Sequence, residues 1–352
     1  MKKLLLLLIA GVLLTACGTK KPNNKNSCST LKVYSWGVYI GPNVKSDFEK
    51  KYNVRVIYDE FPSNEDMYTK LQGGESYDVI YPSDYMIERL IAEDYLQKID
   101  KSLIPNFDRL LESVRDWDYD PGNQYSVPYF WGNVGLLYNT ENVDEDDLEK
   151  QGYGIMANPK YSGRIIVYDS ERDAFMMALK ALGYSMNSSD EKEIEAAYQW
   201  LLKQKDTMRP LYQDDQSIDG MVAGSRDLAL MYSGDAVYVM GENEDMAFYI
   251  PESGTNLWLD AMVIPKDSNC RDLAHKWINF QLEPDIARQN TLEVCYTTTV
   301  AEIYDEMIGE DGEFADISAY QVRTDNPRDE IFHYNAEIKK ILADLWTRVH
   351  AH

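Results

Sequence analysis

The feature that most constrains the fold is a regular alternation of short apolar runs with segments that carry helix-start and helix-stop signals. The runs are rich in β-branched and aromatic residues and occupy 31–36, 54–61, 77–81, 134–138, 164–168, 228–232 and 257–264. Strands that alternate with helices form a sheet covered by helices on its faces. The sequence therefore predicts an α/β protein.

Several predicted helices have readable ends. Ser63 can cap a helix at 64–72, and the run Ser-Glu-Arg-Asp at 170–173 is a capping box that opens a helix at 174–182. Glycines at 73 and 183 follow these two helices. The last helix has an apolar face that should pack on the body of the protein, formed by Ile338, Ile341, Leu342, Leu345 and Val349.

The N-terminus has the pattern of a secretory signal. Met1-Lys2-Lys3 precedes eleven apolar residues at 4–14, too few to span a bilayer. Residues 14–17 (Leu-Thr-Ala-Cys) look like a bacterial lipobox, which implies removal of residues 1–16 and a lipid on Cys17, the only membrane attachment expected. The alternative is an ordinary cleaved signal. Residues 18–30 contain no aliphatic side chain, so 17–30 is predicted to be a disordered, lipid-anchored tether.

Size and charge narrow the function further. The roughly 320 residues that follow the tether exceed what one core usually supports, so two lobes are expected. The formal charge of −24 becomes −26 without Lys2 and Lys3. Such a chain repels nucleic acid and favours cationic partners, although solubility alone is the alternative explanation. The 26 tyrosines and 7 tryptophans suit a wet cleft that receives cations.

Motifs for metal, cofactor or covalent chemistry are not found. Besides Cys17 there are three cysteines, so at most one internal bridge forms, and Cys270 could pair with either Cys28 or Cys295. CxxC, HExxH, GxSxG and P-loop patterns are missing, and the glycines at 152–157 follow an acidic segment instead of a strand. We predict no enzyme activity, no cofactor and no metal.

Aromatic and acidic residues follow the predicted strands. Ligands of open α/β sheets bind beyond the carboxyl ends of the strands. The residues there are Trp36-Gly37-Val38-Tyr39, Pro82-Ser83-Asp84-Tyr85, Asp169 to Asp173, Ser233-Gly234-Asp235 after Tyr232, and Trp258-Leu259-Asp260. Carboxylates pair with ammonium groups, and aromatic rings pack against methylenes and positive charge. Each cation–π contact contributes roughly 0.5–2 kcal/mol. An organic cation is the predicted ligand.

These residues also have structural explanations. Trp36 and Tyr39 could form a staple at a helix entrance, Ser83 could be an N-cap, Asp173 could serve only the capping box, and Asp235 could be a turn residue. Asp260 is harder to explain, because it lies inside an apolar strand and an acid there needs a partner.

At these positions the chain resembles the bacterial spermidine/putrescine-binding proteins, the extracytoplasmic receptors of polyamine ABC transporters. The resemblance runs from about residue 31 to 296 and includes YSWGVY at 34–39, SNEDMY at 63–68, VPYFWG at 127–132, LGYS at 182–185, EIEAAY at 193–198 and PDIA at 284–287. It implies a two-lobe, type II periplasmic-binding-protein fold with a hinge between lobes. Lobe I would comprise 31–136 with about 256–299, and lobe II about 137–255 with 300–352.

The resemblance also implies the roles of individual residues. Asp173, Asp235 and Asp260 would pair with amines. The aromatic and hydroxyl walls would be Trp36, Tyr39, Ser83, Tyr85, Tyr232, Trp258 and Tyr296. Some positions depart from the family. A family carboxylate position is either occupied by Ser170 or shifted. Family members differ at Tyr232, which is often Trp, and at Asp235, which resembles the putrescine-type arrangement. Asp84 is an acid where the family is usually neutral, so it could add a contact or face solvent. His333 is a candidate for the polar residue that the family supplies from its C-terminal region.

The resulting hypothesis is a monomeric, lipid-anchored receptor that delivers spermidine or putrescine to an ABC permease. Three alternatives stay open. An iron receptor would use tyrosine phenolates, a secreted hydrolase would pair Asp84 with Asp173 or Asp235, and a sensor or adhesin would use the same polyamine site without transport.

Overall fold

The computed structural model describes residues 28–214 and 216–352. Its strands are β1 (Thr30–Trp36), β2 (Arg55–Phe61), β3 (Val79–Ile80), β4 (Ser126–Asn139), β5 (Ile165–Tyr168), β6 (Leu211–Gln213), β7 (Leu228–Tyr232), β8 (Met246–Tyr249), β9 (Leu257–Val263) and β10 (Thr297–Thr298). Its helices are α1 (Val44–Tyr52), α2 (Asn64–Gln72), α3 (Asp84–Ala92), α4 (Glu145–Gln151), α5 (Glu171–Ala181), α6 (Glu191–Met208), α7 (Gln216–Val222), α8 (Ser233–Glu242), α9 (Arg271–Gln281), α10 (Pro284–Val294), α11 (Ala301–Ile308) and α12 (Ala336–Ala351).

The strands of the described residues form one mixed sheet in the order β2-β1-β3-β9-β4-β7-β5-β6, and β8 and β10 also pair with β4. Two groups of parallel strands lie in it. β1 is parallel to β2 and β3, and β5 is parallel to β6 and β7. β9 runs antiparallel to β3 and β4. The predicted α/β class is confirmed.

Strand β4 connects the two groups of parallel strands. All fourteen of its residues are buried. Residues 126–133 pair with β9, residues 134–138 pair with β7, and residues 136–139 pair with β8. Two glycines of β4 allow side chains from neighbouring elements to approach its backbone closely. A Cβ on Gly132 would lie 2.2 Å from Ser233 Oγ, and one on Gly135 would lie 2.4 Å from the Phe248 ring.

The sequence predicted only residues 134–138 of this strand. Its first half contains Pro128, which has no N–H to donate to the sheet and therefore argues against a central strand. The structure places this proline beside a register shift between Pro128 and Phe130, where the ladder is already interrupted. The short strands β6, β8 and β10 were not predicted, because two to four residues carry too little pattern.

Both predicted helix caps are present. Ser63 Oγ accepts a hydrogen bond from Asp66 N at 3.1 Å, and Ser170 Oγ accepts one from Asp173 N at 3.3 Å. α5 begins at Glu171, inside the capping box, so it starts three residues earlier than the sequence suggested. The predicted packing of the last helix is also confirmed, because α12 packs on α5 and α6.

The predicted signal at 1–16, the predicted lipid site Cys17 and the tether up to residue 27 lie outside the described residues. At 28–30 the chain is part of the fold. Cys28 is bonded to Cys270, and Arg55 N donates to Ser29 O at 2.9 Å. Cys295 is the free cysteine of the described residues. In those residues we find no helix that is both long and apolar enough to cross a membrane. The lobe boundaries stay a prediction.

We predict that Cys28→Ser lowers the free energy of unfolding by about 2–4 kcal/mol, because the bridge closes a loop spanning 242 residues. Thermal unfolding with and without dithiothreitol measures the effect. Cys295→Ser is the matched control and should leave the sensitivity to reductant unchanged. A melting temperature of the parent protein that does not respond to reductant would contradict the prediction.

Candidate functional site

The candidate site lies where β1, β3, β5 and β7 end and where β9 passes them. Ser83 and Asp84 follow β3, Asp173 lies in the first turn of α5 after β5, and Tyr232 is the last residue of β7. Asp260 lies in the middle of β9 and forms a bridge to Ser83. The carboxyl ends of strands from both parallel groups therefore meet around β9, as expected for a ligand crevice.

Tyrosine hydroxyls contact the acids on one side of this crevice. Tyr39 Oη donates to Asp260 Oδ2 at 2.5 Å, and Tyr296 Oη donates to Asp235 Oδ1 at 2.9 Å. The two tyrosine rings lie edge to face with centroids 5.8 Å apart. Tyr39 thus contributes to the site and is not merely a staple at a helix entrance.

Trp258 continues this aromatic wall towards the second group of strands. Its ring centroid lies 5.3 Å from that of Tyr296 and 5.8 Å from that of Tyr232. Tyr232 Oη then donates to Asp173 Oδ2 at 3.1 Å. A continuous row of rings therefore links Asp260 and Asp235 with Asp173.

Asp173 does not use its carboxylate to cap its own helix. It is 1 % exposed, its Oδ2 accepts from Tyr232, and its Oδ1 is buried without a hydrogen-bond partner among the described residues. Burial raises the pKa of Asp173, although Arg172 and the hydroxyls of Ser170 and Tyr232 oppose the shift. The side chain is thus an incompletely satisfied acceptor inside the site.

Asp84 and Asp260 are two buried acids, and the charge of Asp260 makes ionisation of Asp84 less favourable. Burial raises the pKa of Asp260 to about 6, against the hydrogen bonds from Ser83 and Tyr39. Burial raises the pKa of Asp84 to about 8, and the charge of Asp260 adds to the shift. A cation placed beside Asp260 would lower the pKa of this carboxyl and favour its ionised form.

Asp84 is buried, at 2 % exposure, so it does not face solvent. Its Oδ1 accepts from Tyr85 N at 2.6 Å, and its Oδ2 accepts from Leu259 N at 3.2 Å. Both carboxylate oxygens are therefore engaged by the backbone. Asp84 fixes the start of α3 against β9, which argues against a role as a nucleophile or general base in a hydrolase.

Asn64 and Arg172 belong to the site, although the sequence analysis did not select them. Asn64 Nδ2 donates to Ser83 Oγ at 3.0 Å and to Tyr85 Oη at 2.9 Å. The Arg172 guanidinium lies over the Tyr85 ring, 3.6 Å from its centroid. Asn64 carried no signal, since the first position of a helix accepts most residues. Arg172 could have been noticed, because it is a basic residue within the acidic segment at 169–173 that follows β5.

All predicted site residues except Trp36 are joined by these contacts. Trp36 is half-buried and packs edge to face on Phe61, with ring centroids 4.6 Å apart. His333 is not among the residues that these contacts join. Its nitrogens lie 3.4 Å from Glu88 Oε2 and 3.7 Å from Asp118 Oδ2. Within 28–214 and 216–352, no three His, Cys, Asp or Glu side chains are grouped so that they could hold a metal ion.

The chain is similar to known bacterial solute-binding proteins. The family model described as bacterial extracellular solute-binding protein matches residues 74–306. The spermidine/putrescine-binding periplasmic protein of Escherichia coli K12 is 33 % identical over 294 residues, which is 83 % of each chain. The spermidine/putrescine-binding periplasmic protein 1 of Haemophilus influenzae is 29 % identical over 298 residues, 82 % of each chain.

Solved structures of similar proteins have the same fold. The PotD spermidine/putrescine ABC transporter substrate-binding protein of Streptococcus pneumoniae is 31 % identical, with a TM-score of 0.79 over 92 % of this chain and 99 % of that one. The TpPotD lipoprotein of Treponema pallidum is 29 % identical, with a TM-score of 0.78 over 91 % and 99 %. The predicted two-lobe fold is confirmed. The chain therefore belongs to the bacterial extracellular solute-binding protein family, together with the spermidine/putrescine-binding periplasmic proteins.

Proposed function

We propose that this chain binds a polyamine, spermidine or putrescine, outside the cytoplasmic membrane and delivers it to the permease of an ABC transporter. The observation that carries the proposal is the pair of buried acids Asp173 and Asp260. Among the described residues their side chains accept hydrogen bonds from hydroxyls and from no Lys or Arg side chain. Two negative charges buried in this way need a positive partner.

A polyamine matches both features of the crevice. Its ammonium groups can pair with the carboxylates, and its methylenes can lie on the row of rings formed by Tyr39, Tyr296, Trp258 and Tyr232. Closure of the crevice removes water and so strengthens each ion pair. Inorganic cations would leave the aromatic surface without a function.

The named relatives support the same ligand class. Those with more than 30 % identity are spermidine/putrescine-binding proteins, and a more distant relative, the PotF protein of Escherichia coli K12, is a putrescine-binding protein with 28 % identity. We propose no covalent step, so binding and release are the whole activity. In this proposal, residues 31–136 and about 256–299 close against about 137–255 and 300–352 around the ligand, in a monomer.

Asp260→Asn is predicted to weaken binding by about 1.5–3 kcal/mol, the scale of a hydrogen bond to a charged group. Isothermal titration of the full chain in detergent with putrescine, cadaverine, spermidine and spermine measures this loss and tests the proposed function. Asp311→Asn removes an exposed acid and is the matched control. Unchanged affinity of a folded Asp260→Asn variant would remove Asp260 from the site, and no binding of any of the four amines by the parent would overturn the function.

Polyamine affinity should fall at acid pH. Because burial raises the pKa of Asp260 to about 6, this carboxyl is protonated in the free protein below that pH and must lose its proton before it can pair with an ammonium group. The dissociation constant should rise by up to about tenfold per pH unit below 6 and change less between pH 7 and 8. Titrations at four pH values check this, and the Asp260→Asn variant should show a flatter profile.

We also propose that Cys17 carries a lipid that holds the receptor at the outer face of the membrane. Cys17→Ser should abolish incorporation of an alkyne-labelled fatty acid in the producing bacterium and release the protein from the membrane fraction. Cys295→Ser is the control and should stay labelled. Labelling that persists in the Cys17→Ser variant would show that the lipid, if present, is attached elsewhere.

A further inference from the structure

The proposed polyamine site contains a cation of its own, Arg172, directly before Asp173 in α5. The side chain is 20 % exposed, and its guanidinium carbon lies 3.6 Å from the centroid of the Tyr85 ring. At this distance the planar group covers one face of the ring. That face is therefore closed to a ligand amine, and Arg172 determines how Tyr85 is presented.

Glu65 forms ion pairs with Arg172 and with Lys339, and so holds the guanidinium over the Tyr85 ring. Arg172 Nη2 lies 3.1 Å from Glu65 Oε1, and Lys339 Nζ on α12 lies 2.7 Å from the same oxygen. Burial alone would raise the pKa of Glu65, but the two cations outweigh it and lower the pKa below its usual range. Glu65 thus stays ionised and anchors Arg172 and Lys339 together.

A cavity of about 180 Å³ borders Arg172, and Tyr85, Phe332 and Lys339 are among the other residues that line it. The guanidinium is therefore held in place by the stack on Tyr85 and the ion pair with Glu65, more than by steric confinement. Loss of either contact leaves room for the side chain to turn away.

Arg172 also acts on the neighbouring acid. Its charge lowers the pKa of Asp173 against the effect of burial, which favours the ionised carboxylate that a polyamine needs. The same charge repels the ammonium groups of the ligand, so the residue is not a ligand contact. The effect on Asp173 and the repulsion of the ligand are both expected of a side chain that positions other site residues and does not bind the ligand itself.

We propose, on the basis of the proposed function, that Arg172 is a positioning residue that holds the Tyr85 wall of the polyamine site, with Glu65 as its anchor. In the proposed lobe division, Tyr85 and Glu65 belong to lobe I, and Arg172 and Lys339 belong to lobe II. The stack and the ion pair therefore also stabilise the closed arrangement of the two lobes.

Lys339 provides a matched control, because it shares Glu65 with Arg172 but does not cover Tyr85. The full chain in detergent is titrated with putrescine and with spermidine, as Arg172→Gln, Arg172→Lys and Lys339→Gln variants. Arg172→Gln should weaken binding about tenfold, which is the scale of a cation–π contact. Arg172→Lys, which keeps the charge without the planar stack, should lose less, and Lys339→Gln should change affinity by less than about threefold.

The pH profile separates positioning from simple structural support. Arg172→Gln should move the loss of affinity at acid pH to a higher pH, since Asp173 then lacks its neighbouring cation, whereas Lys339→Gln should not. Equal losses in Arg172→Gln and Lys339→Gln, or tighter binding in Arg172→Gln, would overturn the inference while leaving polyamine binding in place. If the parent binds neither amine, the proposed function fails and this inference fails with it.

Discussion

The structure depends on the backbone hydrogen bonds of β4, which pairs directly with β7 of one parallel group and reaches the other group through β9. Its first half pairs with β9 and its second half pairs with β7 and β8. The strand can serve both groups because it is fully buried and because Gly132 and Gly135 leave space for Ser233, Trp258 and Phe248. The strand ends that carry the acids and rings meet only as long as this shared ladder is intact.

The buried acids Asp173 and Asp260 accept no hydrogen bond from a Lys or Arg side chain among the described residues, although the charge of Arg172 acts on Asp173. Asp173 and Asp260 are almost completely buried, yet their hydrogen-bond partners in the described residues are neutral hydroxyls. The cost of this arrangement is visible in the raised pKa values of both carboxyls. A diffusible cation can remove that cost, which makes the same feature unfavourable in the empty protein and favourable in a complex.

The sequence predicted the α/β class, both examined helix caps and nearly the whole set of residues that the structure brings together. It succeeded because strands, caps and strand ends are local patterns. It failed where tertiary context decides. Pro128 argues against the first half of β4, which a register shift accommodates, and the partner of Cys270 could not be chosen without knowing which cysteine lies beside it in the fold. Arg172 was not selected, because its stack on Tyr85 depends on the tertiary structure and leaves no local pattern in the sequence.

The bond between Cys28 and Cys270 has a mechanical consequence. Cys28 precedes β1, which begins at Thr30, and Cys270 directly precedes α9, so the crosslink lies at the opposite end of β1 from Trp36 and the crevice. A pull on the chain before Cys28 is therefore divided between the backbone that leads into β1 and the covalent bond to the residue before α9. The crosslink thus spreads such a load over two elements at the end of β1 that is remote from the ligand crevice.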